Sequence, residues 1–210
     1  MVEQLQSQQR IGIYGGTFDP VHNAHLMVAR LACEAAGLDY VIFMPSGTPP
    51  HKEATGLTDA HHRLQMVRLA IDSTKGFDAS DLEIAAPGVD YTVDTLRLLK
   101  NAHPAAKLHF IIGGDSLMYL DQWFDPQGLL KLAVFIAVFR PDSSMQELEC
   151  KRLELLARYG GEILLVECPG MDISSTAIRR MVSAGEDITG LVPPAVAQYI
   201  VDNKLYLETL

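Results

Sequence analysis

At 210 residues the chain fits one ordinary domain, or one with a small C-terminal extension, and its 48% apolar content is enough for a sizeable core. A net charge of −9 excludes a general nucleic-acid binder, which needs a basic surface to release counterions. Anionic small substrates stay open, because a few placed cations and helix N-termini can hold phosphates locally.

In chain order, Met1–Arg10 is polar and Gln-rich, unlike the apolar core of a signal peptide, and its first nine residues are expected to fray. A strand follows at Ile11–Tyr14, then a helix at Ala24–Ala36 and a strand at Tyr40–Met44. The stretch Pro45–Gly56, with three prolines, His51 and Lys52, is the longest early loop. Next come a helix at Ala60–Ser73, a strand at Ser80–Ile84 and a helix at Thr92–Asn101. Strands at Leu108–Ile112, Ala133–Phe139 and Ile163–Val166 are separated by helices at Ser116–Gln122 and Met145–Tyr159. Ser175–Ala184 and Pro194–Asn203 close the chain as helices. This alternation predicts an α/β fold for residues 10–210: Rossmann-like and doubly wound, with a mainly parallel sheet, helices on both faces and a helical C-terminal segment. No apolar run approaches the ~20 residues that span a bilayer, so a cytoplasmic protein without a membrane or nucleic-acid partner is expected. Cys33, Cys150 and Cys168 lack any C-x-x-C or zinc spacing and read as free, mostly buried thiols.

The densest chemistry lies at Gly12–His25, G-I-Y-G-G-T-F-D-P-V-H-N-A-H. A strand running into Gly15-Gly16 turns sharply and lets a ligand approach without a Cβ in the way. Thr17 offers a hydroxyl and an amide, and Pro20 fixes the loop. His22 and His25, three residues apart, share one side of a first helical turn, where backbone N–H groups and the helix dipole attract an anion. The P-loop is excluded by the missing lysine, and the dinucleotide fingerprint G-x-G-x-x-G is absent. A zinc site would need further ligands that no spacing enforces, so no protein-ligated metal is expected. A tight turn with incidental histidines is the plain alternative.

The whole string G-G-T-F-D-P-V-H-x-x-H resembles the signature of the nucleotidyltransferase superfamily, summarised as T-x-x-H around H-x-G-H, with Ala24 where glycine is common. In that superfamily the two histidines and the helix N-terminus hold ATP phosphates and stabilise the transition state, which implies catalytic roles for His22 and His25. The resemblance likewise implies ATP contacts at Gly15, Gly16, Thr17 and Phe18. Near the C-terminus, Ser174, Ser175 and Thr176 set three hydroxyls at a helix start, with Arg179 about one turn later. One hydroxyl suffices for an N-cap; three with an arginine suit a polyphosphate. Residues Ile173 to Arg179 are similar to the superfamily's I-S-S-T-x-I-R motif, which grips the β- and γ-phosphates and implies that role for Ser175, Thr176 and Arg179.

Several collinear segments resemble the bacterial nicotinate-nucleotide adenylyltransferase family from Arg10 to Tyr206: M-P-S-G-T-P-P-H-K ending at Lys52, Y-T-V-D-T-L from Tyr91, F-I-I-G-G-D from Phe110 to Asp115, and L-D-Q-W ending at Trp123. The implied reaction joins the adenylyl group of ATP to nicotinate mononucleotide. Its acceptor carries a flat anionic ring, which suits an aromatic face plus hydroxyl or amide donors. Trp123 can stack, or be a core residue. Tyr91 and Thr92 can donate to the carboxylate, or merely cap a helix. Lys52 can reach a phosphate or be a solvated charge, and Thr17 stands between both substrates. Gly113 and Asp115 suit the ATP ribose or a magnesium-bound water, unless Asp115 only caps a helix. Arg140 can face the nucleotide or solvent. His61, His62, His103 and His109 read as structural or surface residues.

The implied mechanism is direct in-line attack with no covalent nucleophile, Mg²⁺ arriving with ATP. A pantetheine-phosphate adenylyltransferase, a preference for nicotinamide mononucleotide and a non-catalytic nucleotide sensor are the rival readings. Oligomeric state is left open, a homo-oligomer included.

Overall fold

The structure, a computed structural model, describes residues 9–47, 57–85, 91–141, 143–170 and 172–207. Six parallel strands form one sheet: β1 (Arg10–Gly16), β2 (Tyr40–Pro45), β3 (Phe77–Ala79), β4 (Lys107–Gly113), β5 (Ala133–Phe139) and β6 (Ile163–Glu167). Their spatial order is β3-β2-β1-β4-β5-β6, the doubly wound arrangement in which the chain reverses its direction of travel between β1 and β4. Ligand crevices in such sheets form beyond the carboxyl ends of the strands at that reversal.

One apolar layer packs α1 (Asn23–Ala36), α2 (Ala60–Ile71), α8 (Ser175–Ser183) and α9 (Pro194–Asp202) on one face, through residues such as Ala29, Met66, Ile178 and Ile200. The opposite face is covered by α4 (Thr92–Ala102), α5 (Gly114–Met118), α6 (Pro126–Leu132) and α7 (Met145–Tyr159), through Leu96, Leu117, Leu129 and Leu155. β5 is buried along its whole length because both layers press on it: Phe135, Ala137 and Phe139 face one, Ile136 and Val138 the other. Such a strand reads as a continuous apolar run, which is why its expected bounds coincide with the observed ones.

Two expected elements are corrected, and one helix is additional to those expected. The strand placed at Ser80–Ile84 lies earlier, at Phe77–Ala79. Ser80 N makes a last bond to Phe43 O (2.9 Å), then the Ser80 Oγ accepts from Leu82 N (3.2 Å) and the chain turns into the short helix α3 (Leu82–Ala85). The helix expected at Ser116–Gln122 is two pieces, α5 and a 3-10 turn at Leu120–Gln122, broken at Tyr119. α6 went unforeseen, although Asp125 at its N-cap accepts from Gly128 N (2.9 Å) and Pro126 starts its first turn. No helix among the described residues is long and apolar enough to cross a membrane.

Candidate active site

Two cavities open at the reversal between β1 and β4, and both are lined by Tyr14 and Gly113. The first, of about 470 Å³, collects helix N-termini. His22 is the N-cap of α1, Gly113 that of α5 and Ser174 that of α8, and all three residues line it. The opening amides of a helix have no intrahelical acceptor, so three positive dipole ends meet here. Arg140, just past β5, adds a full positive charge to the lining; Asp115 is the one carboxylate of the lining among the described residues.

The two histidines form a unit. Their rings stack with centroids 3.7 Å apart and planes 23° apart. His25 Nδ1 accepts from the His22 backbone N–H (3.2 Å), so a neutral His25 carries its ring proton on Nε2 as a donor. His22 is buried, and its Nδ1 has no hydrogen-bond partner among the described residues. Burial, reinforced by the neighbouring Arg140 charge, pushes the His22 pKa down to about 4. Burial and then His22 hold His25 well below the ordinary range. Two neutral, desolvated imidazoles in a cationic bowl are a site short of negative charge.

The second cavity, about 730 Å³, has an aromatic and hydroxyl lining. Gly15, Gly16 and Thr17 close one side; Tyr91, Thr92 and Trp123 stand on another. Trp123 is held edge-on by Phe110 (6.3 Å, 85°), while Tyr91 and the exposed Phe124 pair at 4.6 Å and 36°. Tyr91 is the N-cap of α4 and Thr92 its first residue, so the Thr92 amide also lacks an intrahelical acceptor. Glu83 lines this wall and accepts from Thr95 Oγ1 (2.9 Å), tying α3 to α4. Phe124, Ser46, Glu83 and Gln122 escaped the sequence reading; for Phe124 the signal was its place beside Trp123 in the run leading to Asp125-Pro126.

Some expected residues sit elsewhere. Phe18 lines neither cavity: its backbone has φ 49° and its ring is buried against Tyr14, Phe43 and His25, so a ligand there meets main chain only. Ser175 reaches the first cavity, but its Oγ donates to Pro20 O (2.9 Å). Thr176 and Arg179 line a separate surface hollow, because their face of α8 turns to the loop after β1. There Arg179 Nη1 donates to Asp19 O (2.7 Å) and Nη2 to Thr176 Oγ1 (3.4 Å). Arg140, for which two readings stood open, lies on the cavity side. Lys52 lies outside the described residues. Cys168 is buried at the first cavity, and among the described residues no three metal-ligating side chains gather.

Glycine use separates ligand room from packing. A Cβ on Gly113 would meet nothing within 4 Å, whereas one on Gly114 would come within 2.8 Å of Phe139 Cβ. Gly114→Ala is therefore expected to destabilise the fold by ~1–3 kcal/mol, as overpacking does. Gly113→Ala, at φ −75°, leaves the melting temperature unchanged or slightly raised, because alanine accepts that backbone. Thermal unfolding of the two variants side by side checks the contrast.

Comparison with known proteins gives this geometry its setting. A family model described as cytidylyltransferase-like matches residues 13–181. A probable nicotinate-nucleotide adenylyltransferase of Symbiobacterium thermophilum is 41% identical over 199 residues, covering 95% of this chain and 96% of its own. One from a Synechococcus species is 41% identical over 203 residues, with 96% of each chain covered. The chain belongs to the nicotinate-nucleotide adenylyltransferase family. Among solved structures, a Plasmodium falciparum nicotinic acid mononucleotide adenylyltransferase complexed with NaAD superposes with a TM-score of 0.78 at 25% identity, covering 95% of this chain and 98% of that one. In this member of the family both histidines, with Ser174 and Ser175 at the start of α8, line the cavity where helix dipoles converge.

Proposed function

We propose that the chain transfers the adenylyl group of ATP to the phosphate of nicotinate mononucleotide, releasing pyrophosphate and nicotinate adenine dinucleotide. The observation that carries this reading is the pair of cavities sharing Tyr14 and Gly113 at the β1/β4 reversal, one cationic and one aromatic, with His22 and His25 on the cationic side. ATP occupies the first cavity, its phosphates over the N-termini of α1 and α8. The acceptor occupies the second, its pyridine ring against Trp123 and its carboxylate at the start of α4. A carboxylate gains there from the dipole and the Thr92 donors, whereas a neutral amide gains less, which favours nicotinate over nicotinamide.

The acceptor phosphate is anionic at neutral pH, so attack on the α-phosphorus needs no strong base and no covalent intermediate. The protein holds the two reactants in line and stabilises charge on the α-phosphoryl oxygens through His25 Nε2–H, His22 and the backbone donors. The pantetheine alternative is disfavoured by walls shaped for a flat ring. Mg²⁺ bound to the ATP phosphates would neutralise part of their charge, and Asp115, on the lining of the same cavity, would hold it or its water. Lys52 is retained in this reading as a phosphate contact.

Trp123→Ala tests the acceptor half. Loss of the stacking face is expected to raise the KM for nicotinate mononucleotide ~10-fold and leave that for ATP within ~2-fold. Equal loss for both substrates in steady-state kinetics would move the tryptophan out of the acceptor site. For Gly113→Ala, the added methyl projects into the space shared by both cavities, and kcat/KM is expected to fall ~10-fold or more despite an intact fold.

A further inference from the structure

The loop that carries the histidine pair is held from beneath by charged and polar groups that touch neither cavity. Arg63 of α2 is 1% exposed, the bulkiest of the fully buried side chains. Its guanidinium is spent on main-chain carbonyls from three segments. Nη1 donates to Thr17 O (2.7 Å), Nη2 to Ser46 O (2.7 Å) and Gly47 O (3.2 Å), and Nε to Thr58 O (3.0 Å). Thr17 begins the loop that ends at His22; Ser46 leaves β2 on the wall of the acceptor cavity. One rigid fork thus fixes the spacing between the two segments. Asp19, also 1% exposed, lies within electrostatic reach of Arg63 and completes the lattice. Its Oδ2 accepts from Thr58 N (3.2 Å) and its Oδ1 from Tyr206 Oη (2.7 Å), 187 residues further on.

A buried charge is a costly way to fill a core, and an apolar side chain would pack as well. What an arginine adds is a planar fork with several donors of fixed geometry, which lysine cannot imitate. We propose that Arg63, with Asp19 and Tyr206, is a positioning network that sets the histidine-bearing loop Thr17–His22 against the acceptor wall at Ser46–Gly47. None of the three touches a reacting atom. Their effect is on alignment, and so falls on the chemical step more than on binding. This inference rests on the adenylyltransfer reading above.

The test compares Arg63→Lys and Tyr206→Phe with Tyr199→Phe. The last breaks the His62 Nδ1 to Tyr199 Oη bond (2.9 Å) between α2 and α9, away from both loops. All three are expected to lower the melting temperature. Arg63→Lys is expected to lower kcat ~100-fold and Tyr206→Phe ~10-fold, with each KM within ~3-fold, since a misplacement near 1 Å costs that order in rate. Tyr199→Phe keeps the wild-type kcat. If Arg63→Lys yields no folded protein, Tyr206→Phe decides alone. Wild-type kcat in the folded members of the first pair, with only thermal loss, would overturn the inference. Absence of adenylyltransfer in the wild-type chain would instead overturn the functional reading.

Discussion

His22→Ala is expected to lower kcat by at least ~100-fold, the scale of losing one oriented transition-state donor, while the protein stays folded. Its place in the structure is unlike that of a core histidine. A core histidine satisfies both ring nitrogens, as His109 begins to do through Lys107 O (3.1 Å). His22 leaves Nδ1 buried and unpartnered among the described residues, with Ser174, Ser175 and Arg140 around the same cavity. An unpaired buried polar atom costs the fold, and a site that places it where a phosphate arrives recovers that cost on binding. Alanine removes the donor and the stack on His25, but not the His25 Nδ1 bond, which uses main chain at position 22. The loss therefore falls on turnover, and steady-state pyrophosphate release at saturating substrates reads it. Turnover within a few-fold of wild type would remove His22 from the chemistry.

The same histidine makes the fold acid-sensitive in a definite window. Its pKa is about 4 in the folded chain, against 6.5 for an ordinary histidine. Between those values the unfolded chain binds a proton that the folded chain refuses, so stability falls as pH drops from 6.5 towards 4 and is level below. The largest loss attributable to His22 is about 3 kcal/mol by linkage. His25, shifted in the same direction, adds to it. Urea unfolding at pH 7.5 and 4.5 is expected to show a smaller acid loss in His22→Ala than in wild type. Identical losses would mean that neither burial nor Arg140 acts on His22 as the structure implies. Polyphosphate beside the rings favours their charged forms, so ATP binding near pH 6 is expected to take up protons, visible as a buffer-dependent binding enthalpy.

What the sequence made legible follows from how locally each feature is encoded. β5 and α7 were readable to the residue, because an unbroken apolar run and a capped 3.6-residue period need no tertiary information. The histidine pair, Gly113, Asp115, Tyr91, Thr92 and Trp123 were readable through motifs, and the fold brings them to two adjoining cavities. Ser80–Ile84 misled because D-L-E-I alternates like a strand, while a side-chain bond from Ser80 ends the ladder first. Arg63 was invisible for a deeper reason. In sequence it is one more charge on an amphipathic helix, and only the assembled sheet shows that its donors meet the loops at Thr17 and Ser46 as well as the nearby Thr58. Arg179 adds a contact that its motif does not foretell: Nη1 also donates to Asp19 O, a partner 160 residues away.

The central claim is that two substrates, one anionic and flat, react across the β1/β4 crevice. Pyrophosphate release from ATP and Mg²⁺ is the direct measurement, with nicotinate mononucleotide, nicotinamide mononucleotide and phosphopantetheine offered separately. Rapid release with nicotinate mononucleotide, slower with its amide and none with phosphopantetheine, is the expected result. Release that is fastest with phosphopantetheine, or absent with all three, would contradict it.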